Sequence, residues 1–82
     1  MQQAKEIDSR AFPEIWKGLS LREKEDVTRQ LISDGCTLSR QTVWNWASGK
    51  WQPRTSAMRR LVANSVGKAT GLRVVSQTLF PR

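Results

Sequence analysis

The side chains with the most chemistry to offer lie between residues 39 and 54, in the run SRQTVWNWASGKWQPR. Placed on a helical wheel, Val43, Trp46 and Ala47 share one face, and Arg40, Gln41, Thr42 and Asn45 fall outside it. Arginine can present two donors to O6 and N7 of guanine, and the carboxamides of glutamine and asparagine match N6 and N7 of adenine. A helix that turns these three residue types outward has the groups needed to read the edges of base pairs. Ser39 is a good N-cap for it, since a hydroxyl accepts from the free amides of the first turn, and Gly49 suits the positive φ that closes a helix. So short a helix is not stable alone in water and must be docked on a larger body.

Other reactive chemistry is poorly supplied. There is no histidine and only one cysteine, Cys36, so the usual zinc sites and an internal disulfide are excluded. Cys36 reads as a small apolar filler beside a turn. Glu23, Glu25 and Asp26 are explained by a solvated first helical turn rather than by a carboxylate pair tuned for proton transfer. The chain is therefore expected not to be an enzyme and to need neither a metal nor a cofactor.

Charge is distributed unevenly. All seven acids lie before residue 35, together with six basic residues; from Cys36 onward there are eight basic residues and no acid. Solubility does not require such segregation, whereas a one-sided positive field favours a polyanion. No apolar run approaches the ~20 residues that cross a bilayer, and the N-terminus lacks the basic-then-apolar order of a secretory signal. The expectation is a cytoplasmic protein with no membrane partner.

The elements that must position these groups follow from spacing. Eighty-two residues make one small domain. Residues 1–9 are polar and unpatterned, a loose arm. Phe12, Ile15, Trp16 and Leu19 mark the buried face of a first helix, with Pro13 in its first turn. Ser20-Leu21-Arg22-Glu23 matches a capping box and opens a second helix over about 20–33, with Val27, Leu31 and Ile32 inward and Asp34-Gly35 at its end. The third helix spans about 39–48, and Leu38 is placed to pack back on it as a staple. A fourth starts near Thr55 or Ser56 and runs to about Val66 on Met58, Leu61, Val62 and Val66, after which Gly67 and Gly71 bracket a loop. In the tail, Val74-Val75 suggests an extended piece, and Ser76 is placed to cap a single turn that brings Leu79 and Phe80 onto the core. The fold class expected is all-α: a compact four- to five-helix domain over residues 10–71 containing a helix-turn-helix, with a short irregular tail at 72–82 packing on the core or on a partner.

From Leu38 to Pro53 the chain resembles the Cro/C1-type (lambda-repressor-like) helix-turn-helix family. Its pattern runs from an apolar residue before a serine cap, through an aliphatic residue and a tryptophan, to Gly-Lys and a proline. Leu38, Ser39, Val43, Trp46, Gly49, Lys50 and Pro53 stand at those positions. The match covers about a fifth of the chain. No counterpart of the family's glutamine and small residue stands between Ser20 and Asp34, and the turn is longer, with three residues between Gly35 and Ser39.

The resemblance implies that Arg40, Gln41 and Asn45 face base edges, that Ser39 and Thr42 meet phosphate, and that Lys50 and Arg54 hold the flanking backbone. It leaves two roles open for Trp44: pressing on a sugar or thymine methyl, or packing on the neighbouring helix. Trp16 is read as structural, and Trp51 as a core-edge or partner contact. The function expected is sequence-specific binding of double-stranded DNA by a small transcriptional regulator of the phage, plasmid or antitoxin sort. A homodimer on a pseudo-palindrome is the usual way for so small a reader to gain affinity. The tail and the fourth helix are the candidate dimer surfaces, and no small-molecule effector is expected. The alternative is a protein-interaction adaptor that keeps the helix-turn-helix shape and meets its partner through Trp44 and Trp51. Single-stranded nucleic acid held by basic and aromatic side chains is a third reading, weakened because the aromatics lie on helices rather than on a strand platform.

Overall fold

The structure, a computed structural model, describes residues 7–81. Five helices follow one another: α1 (Phe12–Lys17), α2 (Leu21–Ser33), α3 (Arg40–Ala47), α4 (Ser56–Thr70) and α5 (Ser76–Leu79). The longest two, α2 and α4, pack on each other, while α3 is docked against α1 and α2 and α5 closes on α4. The fold is the small all-α domain the patterning implies. No helix among the described residues is long and apolar enough to cross a membrane.

Each early boundary has a local cause. At the start of α2, the Ser20 hydroxyl accepts from the Glu23 amide at 3.2 Å, and the Glu23 carboxylate accepts from the Ser20 amide at 2.9 Å. Both α2 and α3 end on the same device, a glycine one residue beyond the cap. Gly35 and Gly49 each have φ +80°. The Gly35 amide donates to the Ile32 carbonyl and the Cys36 amide to the Leu31 carbonyl; the Gly49 amide donates to Trp46 and the Lys50 amide to Asn45. These are the paired bonds of a Schellman ending, which satisfy carbonyls the helix leaves free. A Cβ at Gly35 would meet nothing within 4 Å. Gly35→Ala is therefore expected to destabilise the domain through backbone conformation alone, by about 1–2 kcal/mol. Urea unfolding checks this; an unchanged midpoint would show that the turn tolerates a side chain.

The core gathers Phe12, Ile15, Trp16, Val27, Leu31, Val43, Trp46, Val62, Val66, Leu79 and Phe80. Five of the six aromatic side chains form a continuous series of rings. Trp44 meets Trp16 edge-on at 5.5 Å between centroids, Trp16 meets Phe12 at 5.7 Å, Phe12 meets Phe80 at 5.8 Å and Phe80 meets Trp46 at 6.4 Å. Tilted and edge-on pairs suit the ring quadrupoles and add about 0.5–1.5 kcal/mol each beyond burial. The series leaves α3 at Trp44, passes through α1 and the C-terminal turn, and returns to α3 at Trp46. The short third helix is thus moored at two points.

One polar network crosses the α2–α4 contact. The Ser65 hydroxyl, fully buried, lies 2.6 Å from the Asp34 carboxylate and 3.0 Å from the Leu61 carbonyl. A hydroxyl has one proton, and the closer, charged oxygen is the stronger acceptor. Cys36, its Sγ 3.6 Å from the Ser65 oxygen, is left to donate. Gln30 donates to the other Asp34 oxygen at 3.0 Å, and the Lys68 ammonium stands 3.5 Å away. The Ser65 bond, followed by that of Gln30, holds the Asp34 carboxyl below the ordinary aspartate range, while burial pushes the Cys36 thiol up. A carboxyl depressed in the folded state binds protons more readily once unfolded. Its stabilisation is complete above the ordinary value, about 3.9, and is lost as pH falls through the lower folded value. Asp34→Asn is expected to be less stable at pH 6 and to lose less stability than the wild type between pH 5 and pH 2. Parallel melting curves for the two proteins across that range would contradict the assignment.

Three expectations from the sequence are corrected. The fourth helix does not stop at Val66: α4 continues through Gly67 to Thr70 and ends at Gly71, φ +74°. The helix runs through Gly67 where the following chain passes close by, and a Cβ there would lie 3.2 Å from the Leu72 carbonyl oxygen, so the position suits glycine. Leu38 is no staple, for it is 94% exposed while the buried Cys36 fills the space behind the turn. Ser76 does not cap α5 but is its first residue, after Val75. Leu79 and Phe80 do pack into the core, as the tail's apolar residues implied, so removing residues 72–82 would strip the fold itself. Most of the loose arm expected at residues 1–9 lies outside the described residues. Within them, Asp8 donates its amide to the Arg73 carbonyl at 2.7 Å, bridges Val74, and binds Arg10 through its carboxylate.

Candidate nucleic-acid interface

Helix α3 is eight residues long, about 12 Å, which is comparable to the width of the major groove. Val43, Trp46 and Ala47 hold its inner face. The wheel then places Gln41, Asn45 and Ser48 opposite the core, Gln41 and Ser48 exposed and Asn45 half-buried, with Arg40 and Trp44 on one flank and Thr42 on the other. Gln41 and Asn45 are brought together: the Gln41 amide donates to the Asn45 side-chain oxygen at 3.3 Å. Four residues of rise put them about 6 Å apart along the axis, close to two base-pair steps of about 3.4 Å.

The flanking residues have partners of their own. Arg40 reaches back to Glu25 on α2, its Nη1 lying 3.0 Å and 3.1 Å from the two carboxylate oxygens. Trp44 leans its ring on Trp16 but remains 49% exposed, so one side packs on α1 and the other faces solvent. Lys24 lies over the Trp16 ring at 5.9 Å, which puts a cation beside that aromatic pair. Thr42 is half-buried. Ser39 caps α3, its hydroxyl accepting from the Gln41 amide at 3.1 Å, and its own amide donates to the Thr37 hydroxyl at 3.1 Å. The Ser39 hydroxyl proton is still available to a phosphate oxygen.

Lys50 and Arg54 sit on the loop between α3 and α4, both exposed and neither in an ion pair among the described residues. That loop is tied down. The Asn45 carbonyl accepts from the amides of Lys50 and Trp51 and from the Ser48 hydroxyl. Gln52 donates to the Pro81 carbonyl at 2.9 Å, and Arg59 donates to the carbonyl of the buried Pro53 at 2.9 Å. The two cations therefore extend from a fixed backbone beyond the end of α3.

Trp51, the sixth aromatic residue, stands apart from the ring series and is 58% exposed. With Trp46, Met58, Pro53, Arg54 and Cys36 it lines an open cleft of about 410 Å³. Three features of this surface were not singled out by sequence reasoning. Glu25 pairs with Arg40 across fifteen residues, and no local pattern announces such a pair. Trp16 supports Trp44, where its helical spacing pointed only to a core role. Ser48 completes the outer ridge of α3, and continuing the wheel by one position past Ala47 would have found it. Among the described residues no group of three or more His, Cys, Asp or Glu side chains is placed to hold a metal ion. No known family, curated protein or solved structure matches the chain at a significant level.

Proposed function

We propose that the chain binds double-stranded DNA in a sequence-dependent way, laying α3 in the major groove, and serves as a small transcriptional regulator. The observation that carries this reading is the outer ridge of α3. Its carboxamides, Gln41 exposed and Asn45 half-buried, lie on a short helix moored through Trp44 and Trp46, with an arginine on its flank and, just beyond, two cations in no ion pair among the described residues. Bases are read by donors and acceptors held at fixed spacing, and backbone is gripped by charge; this surface offers both in sequence. The charge distribution agrees, since no acid follows Asp34. Two copies bound to a pseudo-palindrome would supply the affinity that one small module lacks.

The deciding experiment is a titration of random duplex DNA from about 50 to 200 mM salt. A protein that displaces counterions from Z phosphates loses affinity with a log–log slope of about −0.9Z. Ser39, Lys50 and Arg54 supply phosphate donors, of which the two cations are expected to set a slope of at least about −1.8 per bound chain. A flat response with no binding at low salt would refute DNA binding. It would favour the second reading, a protein-interaction adaptor, which has its own support in the half-exposed Trp51 over its cleft and in the bare Leu38 and Leu21 side chains.

A further inference from the structure

Among the described residues, Glu25 is the one acid that meets the side chains proposed to read bases, and its contact with Arg40 is asymmetric. A single amino group of the guanidinium, Nη1, serves both carboxylate oxygens, at 3.0 Å and 3.1 Å. A guanidinium has five N–H donors in one rigid plane, and Nη1 accounts for two. The other three, on Nε and Nη2, meet no acceptor among the described residues. Nε and Nη2 form a two-pronged edge of their own, the arrangement that pairs with O6 and N7 of guanine. Glu25 thus holds Arg40 by one edge and leaves the other free.

We propose that Glu25 is a specificity-determining positioning residue, which fixes the Arg40 fork so that it engages a guanine in preference to a phosphate. The inference rests on the reading of α3 as a DNA-reading helix and adds the residue that sharpens it. Two effects of opposite sign follow from the same carboxylate. Released from Glu25, Arg40 samples many rotamers and meets phosphate oxygens on any sequence, so discrimination falls. Removing the carboxylate also removes a negative charge that faces the DNA backbone, so affinity for every duplex rises. An ion pair with only a structural role predicts the rise in affinity, which follows from the charge alone, but not the loss of discrimination. The two side chains are 57% and 44% exposed, a setting in which such pairs contribute little to stability.

The test compares the wild type, Glu25→Gln, Arg40→Ala and the double variant in selection from a random duplex pool. Binding to a random duplex and thermal melts are measured in parallel. The wild type is expected to demand guanine at one position. Glu25→Gln should weaken that demand roughly tenfold, tighten random-duplex binding a few-fold, and melt as the wild type does. On the Arg40→Ala background, Glu25→Gln should leave base preference unchanged. If the wild type selects a sequence and Glu25→Gln selects it with equal or greater stringency, Glu25 is no positioning residue, while the proposed function stands. If the wild type selects no sequence at all, the proposed function fails and the role of Glu25 falls with it.

Discussion

Phe12→Ala is expected to remove about 3–5 kcal/mol of stability. Phe12 has no solvent exposure and touches both Trp16 and Phe80, so it joins the two halves of that series. Truncation loses its transfer free energy and leaves a cavity between two rings that cannot both move in to fill it. A domain of this length has roughly 4–12 kcal/mol in all, so the variant keeps little margin. Its melting temperature should fall by at least about 12 °C. Urea unfolding followed by tryptophan fluorescence measures the loss and also reports on α3, because Trp44 and Trp46 are the two ends of the series. A loss below about 1 kcal/mol would show that the rings are neighbours without being the mooring of the helix.

That dependence explains which parts of the fold were legible in the sequence. The first three helices were, because each is written locally: a capping box at Ser20 and Glu23, a serine before Arg40, glycines at 35 and 49 where the chain must take positive φ. Apolar spacing named Phe12, Ile15, Trp16, Val43 and Trp46 as inward, and they are buried. The errors came where distant chain overrides local preference. Gly67 looks like a stop, but α4 runs through it, and the glycine instead makes room for the return of the chain at Leu72. Leu38 looks like a staple, but Cys36, drawn inward by the Schellman ending of α2, already occupies the inside of the turn. Neither fact has a signature in a window of ten residues.

The candidate site divides in the same way. Helical geometry alone puts Gln41 and Asn45 outward. Which of their neighbours are free is a tertiary matter. Arg40 is tied to Glu25, Trp44 rests on Trp16, and Thr42 is half-buried, as is Asn45 itself, whereas Lys50 and Arg54 are in no ion pair among the described residues. The tryptophans show the limit most clearly. Trp44, Trp46 and Trp51 lie within eight residues, yet one is half in the core, one is buried and one stands in solvent beside a cleft. Composition cannot distinguish them, because each placement depends on what α1, α4 and the C-terminal turn bring to it.

The second large effect separates grip from reading, and two double variants measure it. Lys50→Ala with Arg54→Ala removes two cations held on a tied loop, without touching the core. Affinity should fall on selected and random duplexes alike, and the salt slope should shrink by about 1.8. Gln41→Ala with Asn45→Ala removes the outer carboxamides and leaves charge unchanged. Binding to random duplex and the salt slope should then stay as in the wild type, while the selected duplex loses its advantage. Each bidentate contact is worth about 1–3 kcal/mol of discrimination. The two losses should not add, because Gln41 donates to Asn45 at 3.3 Å and orients it. The single variants are expected to sum to more than the pair, the mark of residues in one hydrogen-bonded unit. Were the carboxamide variant to weaken random and selected duplexes equally, α3 would grip DNA without reading it, and the bases would have to be recognised elsewhere on the molecule.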